Sequence, residues 1–134
     1  MVRHFSAYGL CMLGVGVASC ATYHDDLQRG QTAFDRNAHE QALAIFRALE
    51  NDTPHLSPAE RAQYAYLRGM TDYRIGYKPD ARHWLLIAKA LEDKTPGQLP
   101  PEWTPRMDEA LADLNEQVFT GGVESLENGP KSAK

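Results

Sequence analysis

The stretch Gly30-Gln31-Thr32-Ala33-Phe34-Asp35-Arg36-Asn37-Ala38-His39-Glu40-Gln41-Ala42-Leu43-Ala44-Ile45-Phe46-Arg47-Ala48-Leu49 holds two helical patterns divided by Asn37-Ala38. On its upstream side Tyr23, Leu27, Gly30 and Phe34 fall at i, i+4, i+7 and i+11, one face of a helix predicted over Tyr23–Arg36. On its downstream side Ala42, Ile45, Phe46 and Leu49 share the face of a second helix over His39–Glu50. Asn51-Asp52-Thr53-Pro54 ends that helix, with polar turn formers followed by a residue that cannot continue the hydrogen-bond ladder. The pattern then recurs. Gly30, Phe34, Ala42, Phe46 and Leu49 correspond to Gly69, Tyr73, Ala81, Leu85 and Ala88, every pair 39 residues apart. Self-similarity of this kind marks helical units that bury their apolar faces against one another.

The second unit starts at Ser57-Pro58-Ala59-Glu60. Ser57 is placed to cap, Pro58 suits the first helical position, and Glu60 completes a capping box. The predicted third helix runs to Ile75, with Ala62, Tyr66, Gly69 and Tyr73 in register, and Gly76 ends it. A fourth helix to Glu92 turns Ala81, Trp84, Leu85, Ala88 and Leu91 inward. Asp93–Thr104, with Pro96-Gly97 and Pro100-Pro101, reads as an extended connection. Thr104-Pro105 starts a fifth helix whose Met107, Leu111, Leu114 and Val118 share a face. The tail, residues 119–134, carries Gly121-Gly122 and Gly129-Pro130 and is expected to be disordered. No segment alternates as a strand, so the fold class is all-α.

The paired units resemble the tetratricopeptide repeat. In that helix-turn-helix family a small residue sits where the first helix crosses the second. A small residue early in the second helix and an aromatic four residues later follow. Gly30, Ala42, Phe46, Leu49 and Pro54 occupy the family's positions in the first unit, and Gly69, Ala81, Leu85 and Ala88 in the second. Small residues let helices approach closely. The first helices depart from the family pattern, with Asp26, Arg29 and Ala33, then Ala65, Arg68 and Asp72, where larger apolar residues are usual. The spacing of 39 residues also exceeds the family's ~34, with the extra length in Pro54–Pro58. The resemblance implies two tetratricopeptide-like repeats over 23–118 plus a C-terminal capping helix. It also implies a peptide-binding groove lined by the first helices, with Gln28, Gln31 and Asp35 facing Tyr66, Met70 and Arg74.

The N-terminus carries a different message. Met1-Val2-Arg3-His4 is basic, and Tyr8–Ala18 is apolar or small throughout, the layout of a secretory signal. The apolar run is shorter than the ~20 residues a spanning helix needs. Val17-Ala18-Ser19-Cys20 resembles the lipobox of bacterial lipoproteins, an aliphatic residue and two small ones before a cysteine. That resemblance implies a diacylglycerol on the Cys20 thiol, removal of the signal peptide at residues 1–19, an acylated N-terminus at 20–22, and stable membrane anchoring by several chains. Ala21, in place of the aspartate that retains many lipoproteins in the inner membrane, favours the outer membrane facing the periplasm. Cys11 would leave with the signal and Cys20 would carry lipid, so the mature chain would hold no free thiol.

With 14 basic and 18 acidic residues and no basic block, the chain does not read as a nucleic-acid binder. His39-Glu40 lacks the second histidine of a zinc-protease helix, Leu43 standing in its place. His24, His55 and His83 are scattered, Asp25-Asp26 lies at a helix start, and Ser57 and Ser125 lack a base at telling spacing. The expectation is therefore no catalysis, no cofactor and no metal. The chain reads as a lipid-anchored envelope adaptor that binds another envelope protein or peptide segment. The alternative is a structural lipoprotein that self-associates as a homo-oligomer, or tethers a complex through its Pro-rich segment.

Overall fold

The computed structural model describes residues 19–126. The greater part of the signal segment, with Val17 and Ala18 of the lipobox, and the tail 127–134 lie outside the described residues. The fold is all-α. Five helices follow in order: α1 (Ser19–Asp35), α2 (His39–Leu49), α3 (Pro58–Ile75), α4 (Lys78–Lys94) and α5 (Trp103–Gly121). A 3-10 segment, Glu50–His55, links α2 to α3, and another, Val123–Ser125, follows α5.

Local chemistry sets the boundaries. Asn37 takes a left-handed φ of 60° and turns the chain between α1 and α2, a conformation that asparagine tolerates better than most side chains. The predicted capping box is formed: the Glu60 N–H donates to Ser57 Oγ (3.2 Å) and the Ser57 N–H to Glu60 Oε2 (2.8 Å). These backbone bonds, with the contact to His24, hold the Glu60 carboxyl below its ordinary range. Gly76 closes α3 at φ 104°, its N–H bonded to the Asp72 carbonyl.

The helices stack in sequence. α1 packs on α2 and α3, α2 on α3, α3 on α4 and α5, and α4 on α5. α3 is the shared element. From Ala62 to Asp72 every residue of it except Gln63 is buried, so burial runs round the helix rather than along the single predicted stripe. The two glycines anticipated at the crossings are there for steric reasons. A Cβ on Gly30 would overlap the Phe46 ring, and one on Gly69 would sit 2.7 Å from Leu85 Cγ and 2.9 Å from its backbone nitrogen. Each glycine thus meets the residue sixteen positions on, in both hairpins.

Two expectations change. On α1 the buried positions are Leu27, Gly30 and Ala33, with Tyr23 and Phe34 half-buried, so the face is turned slightly from the predicted one. The stretch from 119, expected to be disordered, continues α5 to Gly121 and then turns at Gly122, whose φ is 77°. Ser125 Oγ donates to the Gln117 carbonyl (2.7 Å), and Leu126 returns to the core. Apolar Val118 and Leu126 on either side of a glycine turn supply the burial that composition alone concealed.

Candidate functional site

Tyr66, Met70 and Arg74 recur every four residues and so lie above one another on α3. The α1–α2 turn brings Phe34, Asp35 and His39 opposite them, and α5 adds Arg106; together they line a cavity of about 170 Å³. A neighbouring concavity of about 510 Å³ shares Met70, Arg74 and Arg106 and extends past Tyr73, Glu109 and Ala110. The two form one trough along α3 and α5.

Four of the six predicted groove residues, Asp35, Tyr66, Met70 and Arg74, therefore converge. Two of those four are not the exposed side chains anticipated. Tyr66 is 1% exposed, its ring stacked on Trp103 at 4.5 Å and 15°, and Met70 is 3% exposed. The reason is α5, which packs on α3 and covers part of the face that a first helix would leave open. Gln28 belongs elsewhere: it bonds His24 and lines a separate concavity on the outer side of α1 and α2. Gln31 is half-buried and lines neither part of the trough. Arg106 and His39 went unrecognised as trough residues. No local pattern could have found Arg106, because its place depends on how α5 sits against α3.

The trough mixes charges, with Arg74 and Arg106 facing it beside Asp35 and Glu109. Among the described residues neither Arg74 nor Arg106 forms an ion pair, and Asp35 on the opposite wall pairs with neither. The Tyr66 hydroxyl makes no hydrogen bond among the described residues, and its oxygen is not one of the fully buried unpaired atoms, so it reaches the trough surface. Burial raises the Tyr66 phenol above its ordinary value, and the charges of Arg106 and Arg74 oppose that rise. His39 Nδ1 is buried without a partner. Tyr73, at the trough's far end, is satisfied: its hydroxyl donates to Asp113 at 2.7 Å, and that bond, with burial, pushes it up to about 12.

A second polar cluster lies in the core between the hairpins. Arg68 donates from Nε to Asp72 Oδ2 (2.9 Å) and from Nη1 to Glu50 Oε2 (2.8 Å), and it lies over the Trp84 ring. Tyr64 donates its hydroxyl proton to the Phe46 carbonyl at 2.8 Å. Asp72 is fully buried, its Oδ1 has no partner, and burial pushes its carboxyl up to about 6 against the opposing charge of Arg68. The cluster joins α2 to α3 and α4.

Elsewhere, Glu92 accepts the N–H groups of Gly97, Gln98 and Leu99 at 2.7–2.9 Å, which fastens the Pro-rich connection to α4. Among the described residues no group of three His, Cys, Asp or Glu side chains could hold a metal ion, and no helix is long and apolar enough to cross a membrane. Ser19 and Cys20 fall in the first turn of α1. Comparison with known proteins finds no family model that matches the chain, and no match among curated proteins or solved structures.

Proposed function

We propose that this chain is a lipid-anchored adaptor of the bacterial cell envelope. It would be fixed to a membrane through Cys20, at the outer membrane facing the periplasm. It would bind a segment of another envelope protein along the trough between α1, α3 and α5, on a tetratricopeptide-like repeat surface, without catalysis or cofactor. One observation carries the binding part of this reading: Arg74, Arg106 and the Tyr66 hydroxyl converge on one concavity without partners of their own. Arg74 and Arg106 are exposed, so both guanidinium groups are open to a partner from outside, and arginine and tyrosine are common interface anchors. The anchor rests on the sequence of the N-terminus alone.

The test is fractionation of cells carrying wild type or Cys20→Ser. The adaptor reading expects wild type in the membrane fraction, together with a co-purifying envelope protein, and the variant in the soluble fraction. Membrane attachment unchanged by Cys20→Ser would remove the anchor.

A self-associating structural lipoprotein is the second reading. It is favoured by two exposed apolar residues that follow one another closely, Phe119 at 91% and Val123 at 63%, the latter sharing a concavity with Leu86. Loss of self-association in Phe119→Asp would support it, and a monomeric wild type would exclude it.

A further inference from the structure

We propose that the trough between α3 and α5 is a carboxylate-binding site, and that its ligand is an acidic side chain of a peptide segment held between Arg74, Arg106 and the Tyr66 hydroxyl. This rests on the adaptor reading for its peptide and on the geometry for its charge preference. Three observations converge.

The first is the pair of arginines. They come from different helices, line the same two concavities, and have no acidic partner among the described residues. Among the described residues Arg36, Arg47 and Arg61 also lack a carboxylate partner, so what distinguishes Arg74 and Arg106 is that they share these concavities; Arg29 and Arg68 pair with carboxylates, and Arg82 donates to the Asn115 side chain. Guanidinium groups bind carboxylates through two parallel N–H bonds, so two arginines facing one cavity select a planar anion. The second is Tyr66. Its ring is fixed by Trp103, and its hydroxyl has no bond, so a donor is held in place beside the two cations. The third is shape. The smaller cavity, at about 170 Å³, admits a single side-chain head, and the adjoining concavity of about 510 Å³, with Met70, Tyr73, Glu109 and Ala110 in its walls beside the two arginines, runs on with mixed polar and apolar walls for the residues flanking it. Asp35 closes the α1 side with negative charge. Glu109 on α5 adds a second carboxylate at the far concavity, so the ligand carboxylate is held at the end where Arg74, Arg106 and Tyr66 meet.

Trp103 makes the test direct, because it stacks on the tyrosine that would hold the ligand. Full-length protein in detergent is titrated with an acetylated, amidated pentapeptide that has a central glutamate between apolar residues, and Trp fluorescence is followed. The same peptide with glutamine, and inorganic phosphate, are the comparison probes. The glutamate peptide should saturate. The glutamine peptide should bind at least about tenfold more weakly, as expected for lost hydrogen bonds to charged groups. Arg74→Gln with Arg106→Gln should weaken the glutamate peptide by a similar factor. Tyr66→Phe, which keeps the stack, should weaken it by less. Arg36→Gln, which changes an arginine on the outer concavity of α1 and α2, should leave binding unchanged.

Equal binding of the two peptides, or no effect of the double arginine variant with its helical circular dichroism intact, would overturn the proposal. So would saturable phosphate binding without binding of the glutamate peptide. The two readings fail separately. An envelope partner that still co-purifies with the double arginine variant would leave the adaptor standing and sink the acid preference. Glutamate-selective binding without any cellular partner would do the reverse.

Discussion

The two helical hairpins place corresponding residues in opposite surroundings. Arg29 on α1 is 69% exposed at its side chain and pairs with Asp26 one turn earlier, whereas its counterpart Arg68 on α3 is 5% exposed and holds Asp72 and Glu50 together. The same contrast runs through the surface around them. Asp25, Gln28, Arg36 and Ile45 line an open concavity on the outer side of α1 and α2. Thirty-nine residues on stand Tyr64, Leu67, Ile75 and Trp84. Tyr64 there bonds the α2 backbone and meets Trp84 edge to face. The first hairpin ends a stack and the second continues one. A repeat position fixes how a helix crosses its partner within the hairpin; the neighbouring hairpin fixes whether that position becomes core or surface. The polar outer side of α1 and α2 is what a terminal unit of a stacked array needs.

The strongest way to break this comparison is to remove each arginine. Arg68→Ala leaves both oxygens of the buried Asp72 carboxyl without a partner, and losing one partner of a buried pair costs about 3–5 kcal/mol. Arg29→Ala should stay within about 0.5 kcal/mol, as for most surface substitutions. Urea unfolding of both variants checks the ratio, and similar losses would mean that the two hairpins are equivalent after all.

The glycines give the next effect. Gly30→Ala and Gly69→Ala should each cost about 1–3 kcal/mol by overpacking, against a helix-propensity gain of up to about 1 kcal/mol. They should differ in rescue. At Gly30 the nearest obstacle is the Phe46 ring, so Phe46→Leu should restore part of the loss. At Gly69 the Leu85 backbone nitrogen is also close, and trimming Leu85 should not help. Thermal melts of the single and double variants decide the point.

The smallest effect is a pH slope confined to the second hairpin, whose counterpart position in the first is Ala33. The folded Asp72 carboxyl is pushed up from 3.8 to about 6, chiefly by burial. Between those values the folded chain binds more protons at this site than the unfolded chain. Asp72 therefore makes stability fall as pH rises through that window and adds no slope above it. Asp72→Asn should remove this component of the unfolding free energy's pH dependence. An unchanged difference between wild type and variant from pH 4 to pH 7 would contradict the assignment.

Much of this architecture was legible in the residues. The helices, the Ser57–Glu60 box and the glycine crossings all depend on contacts within one hairpin, which periodicity and capping chemistry report. What could not be read depends on contacts between hairpins. Arg68 and Asp72 look like surface residues until α2 and α4 flank them. Tyr66 looks like an exposed groove aromatic until α5 brings Trp103 onto it, and Gln28 points away from the trough because α1 is turned slightly from its predicted face. Residues 119–126 looked too polar and glycine-rich to order, yet Leu126 finds the core through one turn at Gly122.

The most direct test of the binding trough is photo-crosslinking in intact cells, with a photoreactive residue at Arg106 in one strain and at Arg36 in another. The trough reading predicts one recurrent envelope protein captured from Arg106 and absent from Arg36. Capture of nothing from Arg106, or the same proteins from both positions, would contradict it.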